Sequence, residues 1–313
     1  MKYFDCHADT LTEIQTPGGT LAENACDLDL ERVGRFAQAY GQVFAVWRDR
    51  KLVSERPETE FRRLYRRADS LLEEQSRRMR LCRTRGELEA ALGEGIFPAL
   101  LSMEDLSLMG TEAEHIRELG FTSAMLTWNY ENEYGFGAAC DQAGRLKDRG
   151  REAARFLLGR GITLDISHLS DGGVEDLFLL TDRPLLASHS DVRELCDRPR
   201  NLQRDQIREL IRRGGLIGIN SFRPFVGQEP SVGIDDLLRH MEYILNLGGE
   251  DVLAMGADFD GCDKRFPEGI TGVESIPAVA AAMERRGFGA ALTEKILFEN
   301  AASFWRRNLP DGE

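Results

Sequence analysis

The stretch from Ile162 to Arg193, ITLDISHLSDGGVEDLFLLTDRPLLASHSDVR, limits what this chain can fold into more than any other. Two short apolar runs with strand character, Ile162–Ile166 and Pro184–Ala187, flank a segment with helical spacing. Each run ends in the same dipeptide, Ser167-His168 and Ser188-His189. Strand, helix, strand at this length reads as a βαβ unit, because parallel neighbours need a crossover between them. In such a unit both imidazoles stand at the same end of the sheet and can face a common space. Imidazole is a common ligand for borderline metals such as zinc. A single strand-end histidine is more often structural; the repeated context is what points to half of a metal site.

With 313 residues the chain can bury a large core, and its size fits one α/β barrel or two smaller domains. A formal net charge of −13 argues against a nucleic-acid partner, since little in the chain would release counterions from a phosphate backbone. The Arg-rich run from Arg62 to Arg83 is the exception. Its apolar positions Phe61, Leu64, Tyr65, Ala68, Leu71 and Leu72 keep helical spacing with Glu73 and Glu74 interleaved, so it reads as a solvated amphipathic helix. The six cysteines are scattered without a C-x-x-C pair. No signal peptide is read ahead of Tyr3–His7, and no apolar run approaches the length of a membrane span. Together these features predict a cytoplasmic protein with free thiols and no membrane association.

Eight strand candidates follow in order: Tyr3–His7, Gln42–Trp47, Ile96–Met103, Thr122–Thr127, Ile162–Ser167, Pro184–Ser188, Leu216–Ser221 and Val252–Ala257. Helical patterns fill the gaps, among them Thr111–Leu119 behind a Thr111/Glu114 capping box, and Asp235–Leu247. This alternation predicts a (β/α)8 TIM-type barrel, with its site at the C-terminal strand ends. A doubly wound open sheet competes, but it usually carries a glycine-rich first turn, and none is present. With no repeat or linker in view, residues 1–313 are taken as one domain with an extra helical segment around 54–95.

The strand ends carry the polar groups. Strand one ends His7-Ala8-Asp9, where residues i and i+2 share a face. Strand three ends Ser102-Met103-Glu104, the paired strands end in His168 and His189, and the last ends Gly256-Ala257-Asp258. Three of the five histidines thus lie on the predicted catalytic rim; His115 and His240 fall within helices and read as surface residues. Three imidazoles with several carboxylates exceed the needs of one tetrahedral zinc and suit two metals sharing a carboxylate. Glu104 stands between the two groups of ligands. None of the five lysines ends a predicted strand, so a carbamylated lysine bridge is not expected. Two cations ~3.5–4 Å apart would activate a shared water and polarise a carbonyl or phosphoryl oxygen. Asp258 is the candidate to carry the proton, against the plainer reading of a turn aspartate before Gly261.

Taken together, His7-x-Asp9, the Glu104 strand end, Asp165-Ile-Ser-His168, Ser188-His189-Ser190 and Gly256-Ala-Asp258-Phe-Asp-Gly261 resemble the membrane (renal) dipeptidase family of dinuclear zinc peptidases, within the amidohydrolase-like barrels. The similarity extends to Cys196-Asp-Arg-Pro-Arg200-Asn201-Leu202, Gly215-Leu-Ile-Gly-Ile-Asn220 and Glu299-Asn300. The resemblance implies that His7 and Asp9 bind one zinc, His168 and His189 the other, and that Glu104 bridges them. It makes Asp258 the general acid/base and has Arg200 pair with the substrate's free carboxylate, a role that a planar guanidinium suits.

One departure stands out. Family members carry a histidine in a Leu-Thr-His context after strand four, where this chain reads Leu126-Thr127-Trp128-Asn129. An indole donates one hydrogen bond and carries no charge, so Trp128 is read as packing or substrate-facing, with Asn129 or a zinc ion stabilising the oxyanion. The expected reaction is hydrolysis of a small dipeptide, including one with a D-residue at its C-terminal position, by a hydroxide bridging two zinc ions. Two alternatives stay open: an amidohydrolase acting on N-acyl amino acids or lactams with the same metals, and a catalytically silent metal- or peptide-binding barrel. The resemblance also admits a homodimer.

Overall fold

The computed structural model describes residues 1–14, 19–228 and 231–312. Nine parallel strands run β1 (Lys2–Ala8), β2 (Ala39–Val46), β3 (Met79–Leu81), β4 (Phe97–Met103), β5 (Phe121–Met125), β6 (Thr163–Asp165), β7 (Leu186–Ala187), β8 (Leu216–Ile219) and β9 (Leu253–Met255). Eight of them close a ring in the order β1, β2, β4, β5, β6, β7, β8, β9, which returns to β1 through the Asp5–Met255 pairing. This is the expected (β/α)8 barrel with helices outside.

The ninth strand departs from the expected eight. β3 pairs only with the start of β4, at Phe97–Ala99, and β5 takes over from Leu101. It lies inside the segment expected to be helical, between the helices Pro57–Glu74 and Arg85–Gly93. The first of these buries Phe61, Leu64, Ala68, Leu71 and Leu72, as its periodicity predicts, with Pro57 at the helix start where its missing N–H costs nothing. A capping box between Thr84 and Glu87 starts the second.

Two further expectations are corrected. The Thr111–Leu119 helix is a short 3₁₀ segment, Gly110–His115, with no side-chain cap, so Thr111 and Glu114 do not form a capping box. His240 lies on the inner face of the helix Ile234–Asn246 and is 1% exposed. Its Nδ1 accepts from the Val192 N–H at 3.0 Å, and its Nε2 lies 2.9 Å from the Val226 carbonyl, so it is a structural core histidine.

The lower half of the barrel is filled by side chains. Phe4, Cys6, Val43, Leu100, Leu186, Leu216 and Ala254 meet there, and Ala301, Phe304 and Trp305 of the helix Asn300–Asn308 seal the N-terminal end from below. The C-terminal end stays polar. Where β7, β8 and β9 converge there is no room for side chains: a Cβ on Gly218 would lie 2.0 Å from the Ser188 carbonyl oxygen, and one on Gly256 only 1.7 Å from the same atom. Glycine at these positions lets the backbones approach and carries the Ser188-His189 strand end with them.

Gly256→Ala is therefore expected to destabilise the protein by about 1–3 kcal/mol or more, because the clash is with backbone that cannot rotate away. Gly86→Ala is the control: it lies in the helix Arg85–Gly93, where an added Cβ meets nothing within 4 Å. That change should be neutral or stabilising by up to about 1 kcal/mol. Urea unfolding of the two variants beside wild type measures the contrast.

Candidate metal centre

Strand alternation alone does not explain how His7 reaches the rim. Phe4 and Cys6 point into the barrel with residues from five other strands, so simple alternation would turn His7 outwards. The pairing of β1 with β2 jumps from Asp5↔Gln42 to Ala8↔Phe44, which inserts one extra residue on β1. This bulge reverses the parity and brings both His7 and Asp9 inwards. Asp5, fully buried, fixes it. Its carboxylate accepts the His7 N–H at 2.9 Å and the Ala257 N–H at 3.1–3.2 Å, and Tyr3 donates its hydroxyl to it.

Asp165 repeats the device across β6 and β7. Its Oδ1 accepts the N–H groups of Ser167, at 3.0 Å, and Ser188, at 3.1 Å, one residue before each histidine. His168 and Asp258 themselves sit in the left-handed backbone region, at φ +66° and +60°. Non-glycine residues rarely adopt it, and where they do the surrounding structure holds them there.

The resulting cluster is tight. Nε2 of His7 lies 3.2 Å from Glu104 Oε2, 3.7 Å from Asp9 Oδ2 and 3.8 Å from Asp258 Oδ1. Nε2 of His168 is 2.9 Å from both Glu104 Oε1 and His189 Nε2. The His7 and His189 rings stack with centroids 3.8 Å apart. All six side chains are buried. Among the described residues, both ring nitrogens of His7, Oδ1 of Asp9 and Oε2 of Glu104 have no hydrogen-bond partner. Buried polar atoms are rarely left so, which makes the cluster a fit for cations.

Electrostatics agree. Burial would lower the His7 imidazole, yet the Glu104 and Asp9 carboxylates raise it well above its ordinary value. Burial, with Glu104 beside it, pushes Asp9 up to about 8, and burial lifts Asp258 to about 6. Glu104 resists its own burial and is held below the usual carboxylate range by His7 and His168. Burial and Arg200 drive His168 down to about 4, and burial with His7 takes His189 well below its ordinary value. These two rings are therefore neutral, the form in which imidazole binds a metal.

Around the cluster stand the remaining predicted residues. Asn129 Oδ1 lies 2.8 Å from His168 Nδ1, and Ser188 Oγ is 2.7 Å from His189 Nδ1, so each ring has a partner that fixes its orientation. Arg200 is 7% exposed; its Nη1 donates to Ser190 Oγ at 2.7 Å and its Nη2 to the His189 carbonyl at 2.9 Å. Asn220 donates to Asp258 Oδ2 at 3.1 Å. Trp128 is half-buried, its ring 5.9 Å from that of His168. Sequence reasoning gave no role to Asp5, Asp165, Ser188 or Asn220. The only available signal was the recurrence of Asp two residues before a rim residue, at Asp5/His7 and Asp165/Ser167.

Known proteins place this arrangement in context. The model of the membrane dipeptidase family, peptidase family M19, matches residues 1–309. The uncharacterised protein of the pqqA 5' region of Klebsiella pneumoniae is 25% identical over 236 residues, 71% of this chain and 86% of that protein. An uncharacterised dipeptidase of Schizosaccharomyces pombe is 28% identical over 231 residues, 70% of this chain; the match spans only 55% of that longer protein. Among solved structures, dipeptidase AC, a metallopeptidase of family M19, is 25% identical with a TM-score of 0.85 over 99% of each chain. A metallopeptidase from Rhodobacter sphaeroides, solved with a phosphinate mimic of the dipeptide L-Ala-D-Ala, shares the fold at a TM-score of 0.86 and 24% identity, over 98% of this chain and 99% of that one. Matched by the family model from residue 1 to residue 309, the chain belongs to the membrane dipeptidase family of metallopeptidases.

Proposed function

We propose that the protein hydrolyses small dipeptides with two divalent metal ions, most simply zinc, held at the cluster around Glu104. The observation that carries this reading is the convergence of His7, Asp9, Glu104, His168 and His189 in one buried hollow with unpartnered ligand atoms. In this reading His7 and Asp9 would hold one ion and His168 and His189 the other, with Glu104 available to both. Two divalent ions there would polarise the scissile carbonyl and bring the pKa of a water towards neutrality.

The chain's own groups supply the rest. Asp258 takes a proton from the attacking water and returns it to the departing amine. Burial raises its carboxyl to about 6 before any ion is bound, and cations held beside it would favour the carboxylate that accepts the proton. Asn220 fixes one of its oxygens, which leaves Oδ1 facing His7. Arg200 spends two of a guanidinium's five donors on Ser190 and His189, and those left over are available to the substrate's terminal carboxylate. Asn129 and Ser188 position His168 and His189. The ligand of the Rhodobacter sphaeroides relative makes a C-terminal D-residue part of the proposed substrate range. A second reading, cleavage of N-acyl amino acids, is favoured by the uncharged Trp128 beside His168. No helix among the described residues is long and apolar enough to cross a membrane. All six cysteines are free, which supports a reducing compartment such as the cytoplasm.

Elemental analysis of the purified chain should give two divalent ions per chain. Chelation should abolish dipeptide hydrolysis and lower the thermal midpoint, because ions that bind only the folded state stabilise it. One ion or none after reconstitution counts against this pairing of ligands. Asn129→Leu, which strips His168 of its partner, should weaken metal affinity by about 10–100-fold. Asp258→Asn should lower kcat by about 10²–10⁴-fold on L-Ala-L-Ala and L-Ala-D-Ala with the circular dichroism spectrum unchanged. Full activity in that variant removes Asp258 from the proton transfer, and cleavage of N-acetylalanine with neither dipeptide touched replaces the dipeptidase reading by the second one.

A further inference from the structure

Two indoles stand at the rim beside the metal cluster without a part in the chemistry above. Trp47 follows β2 directly, and Trp128 follows β5; in the ring these strands flank β4, which carries Glu104. Their rings meet over that strand with centroids 4.9 Å apart at 50°. Tyr130 extends the surface edge-on to Trp128, at 5.3 Å, and the Lys51 ammonium lies 3.1 Å above the Tyr130 ring. Both tryptophans are half-buried and Tyr130 is 38% exposed. The Trp47 Nε1–H is buried and has no acceptor among the described residues.

Beside this surface lies a cleft of about 260 Å³ that shares Trp128 and Tyr130 with it but is otherwise charged and polar, with Asp49, Arg50, Lys51, Asp105, Glu131 and Glu133, and that does not include Trp47. The apolar face is therefore the pair of indoles itself and not the cleft. The walls of the cleft are fixed. Asn132 donates to both Asp105 Oδ1 and the Leu126 carbonyl, at 2.9 and 2.8 Å, and Arg50 donates to the Ser107 carbonyl at 2.6 Å.

Position in the ring assigns the occupant. Arg200 and Asn220 both reach the His189 carbonyl at the end of β7, and Asp258 follows β9. The strand between β7 and β9 is β8, which lies diametrically across the ring from β4. A substrate whose carboxylate lies towards Arg200 and whose scissile carbonyl lies over Glu104 must send its other half towards Trp47 and Trp128. We infer that Trp47 and Trp128 form the wall that receives the side chain of the substrate's amino-terminal residue, and that the protein selects a bulky apolar or aromatic residue there. This inference rests on the dipeptidase reading. An aromatic side chain laid on two indoles buries a large area and gains from ring-on-ring contact, whereas glycine gains neither.

The test separates binding from turnover. Metal-loaded, full-length Asp258→Asn protein is titrated calorimetrically with L-Phe-L-Ala and with Gly-L-Ala. Phe-Ala should bind about 10–100-fold more tightly, the range that pocket complementarity supplies. Adding Trp128→Ala or Trp47→Ala should bring the two affinities to within about threefold of each other, and Trp128→Phe should keep most of the difference. The same ratio should appear in kcat/KM of the wild type. Equal affinities in the Asp258→Asn protein, a difference that survives both alanine substitutions, or failure of L-Phe-L-Ala to bind overturns the inference. A wild type that cleaves neither peptide while the binding difference holds removes the dipeptidase reading and leaves the wall in place.

Discussion

The fold has to hold three carboxylates and three imidazoles together in a place that water scarcely reaches. Like charges a few ångströms apart repel strongly at low dielectric, and burying even one charge is costly without a partner. Asp9 and Asp258 register this as raised pKa values of about 8 and about 6, and His7 as an imidazole drawn towards its charged form. Divalent cations offset that repulsion directly. The geometry of the cluster is imposed by the surrounding structure. The bulge in β1, the left-handed residues His168 and Asp258, and the buried carboxylates of Asp5 and Asp165 impose it. Each of these two carboxylates ties the N–H groups of two adjacent strands at or just ahead of a rim residue, so the backbone that carries the rim side chains is held by hydrogen bonds of its own.

Glycine sets the other half of the geometry. At Gly218 and Gly256 the absent side chains let three strands crowd against the Ser188 carbonyl. Opposite them Trp47 and Trp128 are in contact across β4, among charged neighbours. The mouth is thus asymmetric: hydrogen-bonding groups of β7, β8 and β9 line one side, and aromatic faces line the other. A ligand with one charged end and one apolar end is oriented by that asymmetry before any chemistry begins.

Much of this was legible in the sequence because strand ends carry their own markers. The paired Ser-His dipeptides, His7-x-Asp9 and the Glu104 and Asp258 ends lie where the barrel brings side chains together. The bulge was not legible. Alternation tells which residues share a face but not where an extra residue shifts the register, and for His7 and Asp9 that shift decides which face it is. β3 left no readable trace because Met79–Leu81 is three residues long with Arg80 at its centre, too short for a periodicity. His240 did have a signal: three residues after Leu237 and four before Ile244, it shares their buried face. An ionisable ring suggests a solvated position, and in this helix the spacing outweighs that suggestion.

The closure of the barrel has a consequence for how the protein is made. β1 meets β9 through the Asp5–Met255 pair, and Thr10 donates to Asp260 across 250 positions of sequence. The 250 positions that separate them must be synthesised before both partners exist. Until then β1 and β8 present bare hydrogen-bonding edges, the template on which strands of neighbouring chains can add. The centre therefore cannot assemble before β9 and Asp258 have been made, and the open edges persist until then.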